Sequence, residues 1–147
     1  MEHISVRDIY RMLLDCPDCT GDVAWLNQVP MIMLTGAARA CVFAIHLARR
    51  GRIDSTRSFL TIAECLAGDE ERPYVTFIRS ILEFLTGNAE QAVTFALEAE
   101  ETSRAQNDRG LLADVLAHLA EMHQTTGNTA AARKYEAEAD TVRREKH

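Results

Sequence analysis

The stretch Leu116-Ala117-His118-Leu119-Ala120-Glu121-Met122-His123-Gln124-Thr125-Thr126-Gly127-Asn128-Thr129-Ala130-Ala131-Ala132-Arg133-Lys134-Tyr135-Glu136-Ala137-Glu138-Ala139 reads as two helices with a stop between them. Before Gly127, Leu116, Leu119, Ala120 and His123 recur at three- and four-residue steps; after it, Ala132, Tyr135 and Ala139 do the same. That is the period of an amphipathic helix. Gly127 can take the left-handed conformation that closes the first helix, and Asn128 can cap the second. Small side chains at Ala120, Ala132 and Ala139 let two antiparallel helices approach closely, while Leu116 and Leu119 fill the seam.

Working outward, the pattern repeats. Gly87-Asn88-Ala89-Glu90-Gln91-Ala92 stands 40 residues before Gly127-Asn128-Thr129-Ala130-Ala131-Ala132, and each continues with an aromatic and an alanine, Phe95 and Ala99 or Tyr135 and Ala139. A weaker copy starts 36 residues earlier at Gly51, with Phe59 and Ala63 in the matching places but Thr56 at the first alanine. Helical periodicity extends over residues 3 to 15, 34 to 50, 53 to 67, 73 to 86, 89 to 106, 109 to 126 and 129 to 144, with no alternating strand pattern. Gly51, Gly68, Gly87, Gly110 and Gly127 fall near proposed helix ends, Asp108 is a further cap candidate, and Pro73 suits a first turn.

On these residues the chain resembles the tetratricopeptide repeat, in the longer variety of roughly 40 residues found in bacterial regulatory proteins. The resemblance covers residues 37 to 144. It implies an all-α, right-handed array of three helical hairpins over residues 35 to 144, preceded by an N-terminal helix and capping segment over residues 1 to 34, in one domain. His123 replaces the usual tyrosine and Glu136 stands where an aromatic is common. On the family spacing the middle repeat would bury Thr76, Arg79, Ser80 and Glu83, its polar stripe. The apolar stripe is Tyr74, Phe77, Ile78, Ile81 and Leu85, so that helix is expected to be rotated or extended.

Composition agrees with a folded helical chain. Its 147 residues fit one compact unit, 47% are hydrophobic and only 6% aromatic, so the core must be aliphatic and alanine-rich. A net charge of −6, −2 over residues 1 to 72 and −4 over 73 to 147, argues against direct nucleic-acid binding, which needs a basic face. The N-terminus lacks the order of a secretory signal. The most apolar stretch, Val23 to Leu34, is far short of the roughly 20 residues that span a bilayer, so a cytoplasmic chain without membrane contact is expected.

The resemblance implies a concave groove that binds a peptide or protein segment. Candidate groove residues are Arg79, Glu83, Asp114, His118, Glu121 and Gln124, on the polar stripes of the second and third first-helices; the plainer reading is a solvated face. Family members that clamp a partner's C-terminal carboxylate use lysines and asparagines where this chain has Cys41, Ile45, Asp114 and His118, so that mode is disfavoured. Trp25, Leu26, Met31 and Met33 suit either a cap on the first hairpin or a homodimer contact.

No residue set reads as catalytic, and no cofactor is expected. Cys16 and Cys19 have a chelating spacing, but no second ligand pair accompanies them, and a loop with two thiols is the favoured reading. His118 and His123, five apart, diverge by about 140° on a helix and cannot form a zinc pair. Arg49, Arg50, Arg52 and Arg57 cluster around a turn, where helix C-termini favour cations. The expectation is a non-enzymatic interaction module. A ligand- or peptide-sensing regulatory protein in transcriptional control and an accessory subunit of an enzyme complex are the alternatives.

Overall fold

The computed structural model describes residues 6 to 14 and 35 to 145. Among them the chain is all-helical, with seven helices and no strand: α1 (Val6–Leu14), α2 (Gly36–Arg49), α3 (Ile53–Leu66), α4 (Arg72–Leu85), α5 (Ala89–Ala105), α6 (Arg109–Thr125) and α7 (Thr129–Arg144). The boundaries follow the periodicity closely. Backbone contacts divide the chain into two compact units, Met1–Ile78 and Arg79–His147, with the division inside α4. Trp25, Leu26, Met31, Met33, Cys16 and Cys19 lie outside the described residues.

In the first unit, α2 and α3 pair across a short turn whose Gly51 has φ 73°. Thr35 caps α2 by accepting from the Ala38 amide at 3.0 Å. The pair closes on small side chains: Ala37, Ala38, Ala40, Cys41 and Ala44 of α2 are buried, as are Leu60 and Ala63 of α3. Gly36 of α2 approaches Leu66 of α3: a Cβ there would stand 3.2 Å from Leu66 Cδ1. Phe43 stacks on Phe59 with centroids 5.4 Å apart. Burial, with smaller contributions from the carboxylates of Glu71 and Glu64, pushes the Cys41 thiol up to about 12; it is a core residue and not a reactive thiol.

Helix α1 is anchored at Tyr10. Glu71 accepts from the Tyr10 hydroxyl and from the Thr35 hydroxyl, both at 2.7 Å, and the Tyr10 ring stacks on Tyr74 at 5.2 Å. Tyr10 is fully buried, which raises its phenol well above the ordinary value. This three-way hydroxyl–carboxylate contact has no signature in sequence spacing.

In the second unit, α6 and α7 form a hairpin across the Gly127-Asn128 turn. Leu112, Ala113 and Leu116 of α6 pack against Ala139 and Val142 of α7, with Tyr135 at the edge. His123 stacks on Tyr135 with rings parallel to within 1°, taking the seam position expected for an aromatic. Asp108 and Asn128 cap α6 and α7 by accepting from the Leu111 and Ala131 amides. The turn between α5 and α6 departs from expectation: Gly110 lies inside α6, and the left-handed residue is Asn107, at φ 56°. Asparagine tolerates that conformation better than other side chains. Gly68, too, is absent from the left-handed positions.

Candidate functional site

Helix α4 is buried on both of its stripes, with Tyr74, Phe77 and Ile78 of the apolar stripe inside as the sequence pattern predicts. Thr76, Ser80 and Glu83, polar residues that the repeat spacing assigns to the seam, are buried, whereas Leu85 is 70% exposed. Polar side chains can occupy such a seam only if their hydrogen bonds are made inside it. Ser80 donates to the Ala92 carbonyl in the first turn of α5 at 2.6 Å. The carboxylate of Glu83 accepts from Asn88 Nδ2 at 2.7 Å, while the Asn88 amide bonds the Glu83 carbonyl at 2.8 Å. Glu83 therefore closes the α4–α5 turn and is no part of an open groove.

His118 is likewise inside. Its Nε2 is 3.1 Å from Ser80 Oγ, and its ring meets Phe84 edge-on with centroids 6.1 Å apart. Burial pulls its imidazole down to about 4, so it is neutral near pH 7. Arg79 is half-buried, its guanidinium carbon 4.8 Å above the Phe95 ring. Asp114 is half-buried. Of the six groove candidates, Glu121 and Gln124 line an open cleft.

That cleft runs between α6 and α7 and has a volume of about 420 Å³. Ala117, Ala120, Ala132 and Ala139 line its base; Ala120, Ala132 and Ala139 are themselves buried, so the two helices lie close there. Glu121 and Gln124 edge it on α6, and Glu136, Asp140 and Arg143 on α7. Arg143 Nη1 lies 3.9 Å from Asp140 Oδ1, an exposed pair. The cleft thus joins a small, apolar base to a polar margin with three carboxylates and one guanidinium.

The 40-residue repeat supplies a comparison within the chain. Ser80, Phe84, Ala92 and Ala99 stand where Ala120, Gln124, Ala132 and Ala139 stand one repeat later. At the earlier place, His118 of α6 sits against Ser80 and Phe84. At the later place, the corresponding surface is the open cleft. Sequence reasoning missed the α7 side, Glu136, Asp140 and Arg143, because groove residues were sought only on first helices. These three are the 40-residue equivalents of Ala96, Glu100 and Ser103.

Among the described residues, no group of three or more His, Cys, Asp or Glu is arranged to hold an ion. No described helix is long and apolar enough to cross a membrane. No protein-family model, curated protein or solved structure matches this chain.

Proposed function

We propose that this chain is a non-enzymatic interaction module, a tetratricopeptide-like array that binds a segment of another protein, with the α6–α7 cleft as its docking surface. The observation that carries the reading is the pair of equivalent surfaces in the second unit, one covered by α6 and the other open over a base of four alanines. A helix pair presenting close-packed small residues to solvent offers shape for a partner's side chains, and its polar margin offers orientation. Glu121 and Gln124 supply that margin on α6.

Ala117→Trp, which fills the base from a half-buried position, should abolish capture of the partner in cross-linking from the native host while leaving helicity unchanged. Capture of the same partner at wild-type level would overturn the reading. Charge reversal at Glu83 is unsuitable for this purpose, because that carboxylate is 4% exposed and its loss would unfold the turn it closes.

A further inference from the structure

The margin of the α6–α7 cleft specifies a partner chemistry, an inference that rests on the reading of this cleft as a docking surface. In the preceding repeat, the equivalent surface receives a helix: His118 of α6 reaches Ser80 and Phe84. The open cleft retains the alanines of that surface, Ala132 and Ala139 for Ala92 and Ala99, and widens it by Ala120 for Ser80. It extends from Ala132 to Arg143 along α7, about 16 Å at 1.5 Å per residue, enough for roughly three turns of an added helix.

The margins differ in charge. Where the earlier repeat has Ile81, Phe84 and Ala96, the open cleft has Glu121, Gln124 and Glu136; Asp140 keeps the acid of Glu100, and Arg143 replaces Ser103. Two apolar positions, Ile81 and Ala96, are thus replaced by the carboxylates Glu121 and Glu136, against which Arg143 is the one cation of the cleft. A second copy offering this same face would meet like charge.

We propose that the cleft docks a cationic amphipathic helix of a partner protein. One large aliphatic side chain of that helix enters the alanine base, and Lys or Arg residues about one turn to either side meet Glu121 and Glu136. The base gives room for a side chain of leucine size, the helix geometry sets the spacing, and the carboxylates select sign.

Two synthetic peptides of about 15 residues test this, sharing one leucine stripe at i, i+4 and i+7 and carrying either lysines or glutamates beside it. Binding to the full chain is read by fluorescence anisotropy and by amide chemical shifts. The lysine peptide should bind roughly tenfold or more tighter than the glutamate peptide, an advantage that shrinks with salt. It should shift the amides of Ala117, Glu121, Ala132 and Glu136. Glu121→Lys with Glu136→Lys, both at exposed positions, should reverse the preference, and Ala117→Trp should abolish binding of either peptide.

Equal binding of the two peptides, shifts confined to other surfaces, or no binding of either overturns the proposal. If neither binds but the chain self-associates and Ala117→Trp prevents it, the occupant is a second copy and the cationic helix is excluded. Loss of the host partner in Ala117→Trp without charge dependence removes the cationic helix and keeps the docking reading. Retention of that partner in Ala117→Trp removes both.

Discussion

Ser80 hands its one hydroxyl proton to the Ala92 carbonyl at 2.6 Å and faces His118 Nε2 at 3.1 Å as an acceptor. That assignment follows from the inventory of a serine hydroxyl, one donor and two lone pairs, and it fixes His118 as the tautomer protonated on Nε2. A single buried oxygen thus joins α4, α5 and α6.

Ser80→Ala should cost on the order of 2 kcal/mol, because it leaves the Ala92 carbonyl and the His118 N–H without this partner in a buried place. Urea unfolding of the variant would show it. A loss below a few tenths of a kcal/mol would mean that water replaces the hydroxyl.

His118 links stability to acidity. Its folded imidazole is held down to about 4 by burial, below the ordinary 6.5, so between those values the unfolded chain takes up a proton that the folded chain refuses. The stabilisation is complete above about pH 6.5 and drains away as pH falls toward about 4. His118→Gln should lack this slope: the stability advantage of wild type over variant should shrink by on the order of 2 kcal/mol between about pH 7 and about pH 4.5. Parallel pH profiles for the two proteins would refute the assignment.

Tyr10→Phe keeps the stack on Tyr74 and deletes the hydroxyl bonded to Glu71. The expected loss is about 1 kcal/mol, felt at the α1 anchor. Hydrogen exchange should speed up in α1 while α6 and α7 stay protected to the same degree. Uniform acceleration would show that the contact supports more than its own helix.

The two kinds of helix-closing residue should respond differently. Gly127, at φ 91°, has no atom near its absent Cβ, so Gly127→Ala costs only backbone strain, about 1 kcal/mol. Asn107, at φ 56°, already bears a Cβ, and Asn107→Gly should change stability by no more than about 0.5 kcal/mol. Thermal melts of both variants decide this.

Helix positions, the caps Asp108 and Asn128, and the alanine contacts of α6 and α7 were legible in the sequence, because each depends on residues within one hairpin. The behaviour of α4 was not. Its polar stripe suggested a solvent-facing side, and only the partners of Ser80 and Glu83, 12 and 5 residues away, show that the stripe is buried with its hydrogen bonds made. The Glu71 anchor joins residues 61 and 36 positions apart and has no periodic trace. For the candidate site, Glu121 and Gln124 were found from the α6 stripe, while the α7 wall appeared only once the two helices lay side by side.

The buried hydroxyl and carboxylate of α4 also bear on the order in which the chain folds. A helix face bearing Ser80 and Glu83 gains little from collapse onto an apolar surface until its hydrogen-bond partners are in position. The α6–α7 hairpin, built from local apolar contacts, can form early, whereas the α4 seam must wait for both the Ala92 carbonyl and His118. Ser80→Ala should therefore leave the refolding rate almost unchanged and express its cost as faster unfolding.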